Sequence, residues 1–139
     1  MNILLVDDNN DTRHLFGMAF VLAGHRVKTA PNGAEALALF SQHRFDVVVL
    51  DVEMPHMSGW KVLEAMRHMP FGEQVPILLF TAYHDPNFEA QAKSAGAYAV
   101  LRKPIFPDSL LEVMEKAVKE RESAPSTHSS TTALGNVLP

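Results

Sequence analysis

The chain has 139 residues, 47% apolar and 20% charged, with a formal net charge of -4, which suits one domain around a single core. The acidic balance and the scattered Lys and Arg argue against a nucleic-acid surface, which needs clustered cations; the lack of cysteine excludes a disulfide framework and a thiolate metal site. No apolar run approaches the roughly 20 residues that span a bilayer, and a first strand beginning at Asn2 leaves no room for a targeting peptide, so a cytoplasmic protein that does not engage the membrane is expected.

The apolar run NILLV at 2–6 predicts the first strand, and Asp7 and Asp8 follow it directly. Asn9, Asn10 and Asp11 then read as residues that open a helix. Its apolar stripe is Leu15, Met18, Ala19 and Leu22, and Gly24 closes it. Phe16 and Phe20 stand four apart, off that stripe, and are expected to pack against the last helix. Their alternative use is a patch for a partner's helix, shared with Ile105 and Phe106.

RVKTA at 26–30 is a polar strand, best placed at a sheet edge, and it ends blandly on Pro31. Asn32 with Glu35 makes a capping box for a second helix that turns Ala36, Leu37 and Phe40 inward. DVVVL at 46–50 is continuous in Val and Leu, as a strand buried on both faces requires, yet it runs into the carboxylate of Asp51. Ser58 caps a third helix with Val62, Leu63 and Met66 inward, ending before Pro70, and Trp60 is expected to pack at its start.

PILLF at 76–80 gives a fourth strand, followed by Thr81, and a shorter helix runs from near Asn87 to Gly96. AYAVL at 97–101 gives a fifth strand, followed by Arg102, Lys103 and Pro104. Pro107 and Asp108 start a last helix with Leu110, Met114, Ala117 and Val118 inward. From Ser123 the chain turns Ser- and Thr-rich, so residues 1–122 are read as the folded domain and 123–139 as a disordered tail or linker. The seven histidines show no metal-ligand spacing, and His56 and His84 are expected at the rim of any site.

Strand–helix alternation repeated five times predicts an α/β fold with right-handed crossovers. Ligands of such sheets bind outside the carboxyl ends of the strands, where strand order reverses. An order of 2-1-3-4-5 makes neighbours of the four strands that end in polar residues and leaves the bland one outermost. This is the doubly wound, flavodoxin-like parallel sheet of five strands with five helices. Asp7, Asp8 and Asp51 would then meet and need a cation; with neither Cys nor clustered His, a hard oxygen-liganded ion such as Mg²⁺ is expected. Asp51 becomes a candidate nucleophile toward phosphorus, with Lys103 and Thr81 beside it for the phosphoryl oxygens.

At these residues the chain resembles the receiver domains of bacterial response regulators, on LLVDDN, VVVLDVEMPHMSG, FTA and LRKP, each following a strand. The similarity covers residues 2 to about 121. It implies that Asp51 is the phosphorylated aspartate and that Asp7, Asp8, Asp51 and the Glu53 backbone carbonyl hold Mg²⁺. Thr81 would move onto the phosphoryl group, Lys103 would pair with it, and the Lys103–Pro104 bond would be cis. The donor implied is a phosphohistidine on a sensor histidine kinase or histidine phosphotransfer protein, within a two-component phosphorelay, with a downstream protein target. The chemistry expected is self-phosphorylation and slow autodephosphorylation, a switch rather than a turnover enzyme.

Two positions depart from the family's pattern. Val100 stands three residues before the lysine, where the family usually has Tyr or Phe, with Tyr98 two residues earlier. Tyr83 is a bulky neighbour two residues after Thr81. The enzyme rival is a haloacid-dehalogenase-like phosphatase, which also uses Asp, Thr, Lys and Mg²⁺. That family, however, places its nucleophile as Asp-x-Asp after its first strand, whereas the acids here are adjacent. An inert scaffold is the third reading, and the presence of all five site residues speaks against it.

Overall fold

The computed structural model describes residues 1–83 and 85–123, so the expected tail beyond Ser123 and the placing of His84 lie outside the described residues. The elements alternate as β1 (Asn2–Val6), α1 (Asn10–Leu22), β2 (Arg26–Ala30), α2 (Gly33–Gln42), β3 (Val47–Asp51), α3 (Gly59–Arg67), β4 (Ile77–Thr81), α4 (Pro86–Ser94), β5 (Ala99–Arg102) and α5 (Pro107–Ser123). All pairings are parallel, in the order β2-β1-β3-β4-β5. The polar RVKTA strand is an edge, as its composition required. The third and fourth strands end one residue later than the apolar runs suggest, so Asp51 and Thr81 are themselves the last residues of β3 and β4. Ser123, where the tail was placed, is still helical.

Two cores lie on opposite faces of the sheet. Leu4, Val6, Val48, Leu50, Ile77 and Leu79 face α2, α3 and α4, whose Ala36, Phe40, Val62, Leu63, Met66 and Ala92 complete that layer. Ile3, Leu5, Val47, Val49, Leu78 and Phe80 face α1 and α5. Alternate residues of the central strands thus serve alternate faces, and each fully buried Leu or Ile contributes about 1.5–3 kcal/mol.

The face of α1 is reversed from the expected one. Phe16 and Phe20 are buried against Leu110, Leu111 and Met114 of α5, while Leu15 is 58% and Leu22 82% exposed. The helix carries two apolar stripes, and periodicity alone does not choose between them. Ring contacts decide: Phe16 stacks on Phe80 at 6.4 Å and meets Phe20 edge-on at 6.1 Å, pairings that the aliphatic stripe cannot make. Packing of both rings on the last helix is as expected, and their alternative use in a partner-binding patch falls with their burial. Leu15, Met18, Val21 and Leu22 instead line an open groove of about 820 Å³ beside Val27 and Thr29 of edge strand β2.

The helix starts follow the capping chemistry. Asn9 caps α1 by accepting the Thr12 N–H at 2.8 Å. Asn32 accepts the Glu35 N–H at 2.9 Å, and its side-chain amide donates back to Glu35 at 3.1 Å. Ser58 caps α3.

Candidate functional site

The carboxyl ends of four adjacent strands carry the polar residues: Asp7 and Asp8 after β1, Asp51 on β3, Thr81 on β4 and Lys103 after β5. Asp7 follows β1, and its N–H donates to the Ala30 carbonyl at 3.1 Å, which fixes the turn leaving the strand. Its Oδ1 accepts the Asn9 N–H at 2.9 Å, and its own carbonyl accepts from Arg13 Nη1 at 2.8 Å. Asp51 ends β3, with Oδ1 accepting the Glu53 N–H at 3.1 Å. Lys103 follows β5; its N–H donates to the Thr81 carbonyl at 2.7 Å, which ties the two strand ends together. The Lys103 ammonium reaches 3.2 Å from Asp51 Oδ1 and 3.9 Å from Asp7 Oδ2, and it lies 4.7 Å over the Phe80 ring. The Lys103–Pro104 bond is cis, as the resemblance implies.

The loop after Asp51 folds back tightly over it. A Cβ at Gly59 would stand 2.3 Å from the Asp51 carbonyl oxygen, so only glycine fits. His56, at φ 70°, occupies the left-handed region, uncommon for residues other than Gly though His is among the side chains that enter it more readily. It is exposed, in keeping with a place on the rim.

Electrostatically the acid side of the site is frustrated. Asp51 is 2% and Asp7 0% exposed. Burial first, and then the neighbouring charge of Asp7, pushes the Asp51 carboxyl up to about 7, although Lys103 pulls the other way. Asp7 Oδ2 is buried and has no hydrogen-bond partner. Carboxylate oxygens of Asp7, Asp8 and Asp51 lie within 4.8 Å of one another, with Asp8 exposed at the mouth. An orphaned buried oxygen within an all-carboxylate donor set fits a hard divalent cation.

Thr81 is buried like Asp51, but its hydroxyl turns to Glu53, donating to Oε2, while the Ala82 N–H donates to Oε1 at 3.1 Å. The Thr81 oxygen also accepts the Tyr83 N–H at 3.0 Å. The expected set therefore divides: Asp7, Asp8, Asp51 and Lys103 converge, and Thr81 is engaged by a neighbour. Sequence reasoning used only the backbone carbonyl of Glu53 and missed its side chain. The available signal was an acid two residues after Asp51 with no Lys or Arg between it and α3.

At the rim, Trp60 packs on Phe88 of α4 with ring centroids 5.7 Å apart, and Tyr83 meets Phe88 edge-on at 6.4 Å. Tyr83 is 59% exposed, and its hydroxyl donates to Asp85 at 3.2 Å. Trp60 thus packs where expected, and Phe88, unremarked in the sequence, joins the two rings.

Residues 3–115 match the model of the response regulator receiver domain family. The chain is 36% identical over 117 residues to the regulatory protein AtoC of Escherichia coli (strain K12), covering 84% of this chain and 25% of that protein. It thus spans a quarter of that curated relative's length. Among solved structures, the chemotaxis protein CheY4 of Vibrio cholerae superposes with a TM-score of 0.80 at 35% identity, covering 84% of this chain and 97% of that one. The response regulator TrrA of Thermotoga maritima, solved in complex with Mg²⁺ and BeF, superposes with a TM-score of 0.72 at 34% identity, again covering 84% and 97%.

Proposed function

This chain belongs to the response regulator receiver domain family, and on that premise we propose that Asp51 is its phosphoacceptor. Receiver domains are the phosphorylation-dependent switches of two-component systems, phosphorylated by sensor kinases or phosphotransfer proteins. The rival phosphatase reading finds no support among the matches.

An Asp51 oxygen attacks the phosphorus of a donor phosphohistidine; the new P–O bond forms as the P–N bond breaks and the imidazole leaves. Asp7, Asp8, Asp51 and the Glu53 carbonyl would hold Mg²⁺, which when bound neutralises charge on the phosphoryl oxygens. The Lys103 ammonium, already beside Asp51, pairs with a phosphoryl oxygen, and the Thr81 hydroxyl donates to another. Water later attacks the phosphorus, releasing phosphate and restoring the Asp51 carboxylate.

The observation that carries this reading is the convergence of Asp7, Asp51 and Lys103 at three strand ends. A cytoplasmic location belongs to the same proposal; no helix of the described residues is long and apolar enough to cross a membrane. The test is incubation with phosphoramidate and Mg²⁺ followed by peptide mass spectrometry. One phosphoryl group on Asp51 is expected, and labelling confined to another residue would overturn the assignment.

A further inference from the structure

None of the roles assigned above uses the Glu53 side chain, yet this exposed residue reaches from the loop after Asp51 to the end of β4. Its N–H donates to Asp51 Oδ1 at 3.1 Å. Its two carboxylate oxygens take the Thr81 hydroxyl and, at 3.1 Å, the Ala82 N–H. Among the described residues no Lys, Arg or His forms a salt bridge with it. The carboxylate is therefore fixed by those two charge-assisted bonds and by its short tether to Asp51.

A hydroxyl and the adjacent amide, side by side at the end of a strand, present two donors to one anion. A carboxylate and a phosphoryl group are the same kind of acceptor for such a pair. Resting on the reading of Asp51 as phosphoacceptor, we infer that Glu53 is a positioning residue that competes with the phosphoryl group for Thr81 and Ala82. While its carboxylate holds them, the hydroxyl and the amide are unavailable to a phosphoryl group on Asp51. Phosphorylation must release Glu53 before that half of the site can close. A ligand shifts an equilibrium only by its differential affinity for the two states, so this contact sets how far a given phosphoryl occupancy moves Thr81.

Two substitutions separate competition from simple charge. Glu53→Ala removes both the charge and the bonds. Glu53→Asp keeps the charge but, one methylene shorter, does not reach the Thr81 hydroxyl and the Ala82 amide. Beryllofluoride is titrated into wild type and both variants at saturating Mg²⁺, and the Ala82 amide is followed by NMR in the metal-free proteins. Competition predicts that both variants bind beryllofluoride roughly tenfold tighter, the size of one charge-assisted hydrogen bond that no longer has to be given up. It also predicts that the Ala82 amide moves upfield in both as its acceptor is lost. Tighter binding by Glu53→Ala alone, with Glu53→Asp at the wild-type value, would reduce the effect to charge repulsion and overturn the inference. Equal or weaker binding in both would make Glu53 a loop brace and overturn it too. An unmoved Ala82 amide would remove the contact while leaving Asp51 as phosphoacceptor. Wild type that does not bind beryllofluoride at all would remove the phosphoacceptor reading, and this inference with it.

Discussion

The two halves of the site are finished to different degrees. On the acid half, Asp7, Asp8 and Asp51 crowd together, one buried carboxylate oxygen has no hydrogen-bond partner, and Lys103 offsets only part of the charge. On the hydroxyl half every donor described is already taken, Thr81 and Ala82 by Glu53. The acid half holds its charge in a strained, ready state, whereas the hydroxyl half rests in a satisfied one. Occupying the first is therefore downhill once a cation arrives, and rearranging the second requires an exchange of hydrogen bonds. A switch needs both: a place that captures the signal and a contact that resists it.

The largest test of this division removes the acceptor. Asp51→Asn is nearly isosteric and should abolish phosphoryl incorporation from a small donor while the amide spectrum of the fold is retained. Full labelling of the Asn variant would mean that the acid half is not where the phosphoryl group goes. Next in size, Asp8→Ala takes one carboxylate from the cation and should weaken Mg²⁺ binding at least about tenfold, since ligand charge sets affinity at such sites. Labelling should slow with it. Unchanged Mg²⁺ affinity, read by titration, would place the ion elsewhere.

Smaller but signed is the pH dependence of the metal-free protein. The Asp51 carboxyl is raised from 3.8 to about 7, by burial first and by Asp7 second. The native state therefore holds this proton more tightly than the unfolded chain does. Its contribution to stability is fully present below pH 3.8 and is lost as pH rises to about 7. Asp51→Asn has no such proton to lose. The variant should therefore gain on wild type in melting temperature as pH rises through that window, with the gain constant above it. The net shift of the Asp51 carboxyl already contains the pull of Lys103, so a gain of at least roughly 3–5 °C, about 1 kcal/mol in a domain of this size, is expected. A gain independent of pH in chelator would show that the acid half is not strained by charge.

The acid half is legible in the sequence because three acids, a pair after one apolar run and a third after another, share one sheet end. Their mutual repulsion there calls for a cation. The order of strands followed from the same residues, since the polar strand had to be outermost. The hydroxyl half was only partly legible: Thr81 could be placed, but the partner of its hydroxyl depends on how the loop after Asp51 folds back, which Gly59 permits and no periodicity encodes. The same limit reversed α1. Leu15, Met18 and Leu22 have the spacing of a core stripe, and so do Phe16 and Phe20; the contest is decided by Phe80 and α5, which lie far away in sequence.

The smallest effect is expected where the hydroxyl half meets the face formed by α4 and β5. In the family that this chain resembles, an aromatic ring three residues before the lysine swings inward as the threonine moves. Val100 occupies that position here and packs on the core that faces α4. Valine has one favoured rotamer and no ring to relocate, so little volume can follow Thr81. Tyr98 would be the substitute, but it packs on the opposite face of the sheet, with the α5 core, and its hydroxyl donates to Glu120 at 2.6 Å. It is held by α5 and turned away from α4. Phosphorylation should therefore alter the loops around Asp51, Thr81 and Lys103, including Ile105 and the 80% exposed Phe106, more than it alters residues 90–101. Amide shift mapping with beryllofluoride and Mg²⁺ reads this directly: shifts in residues 90–101 should stay well below those beside Asp51, and Tyr98→Ala should leave that pattern unchanged. Shifts across 90–101 as large as those beside Asp51 would show that the hydroxyl half does drive α4 and β5 without a ring. If Tyr98→Ala then removed them, the signal would be crossing the sheet through α5.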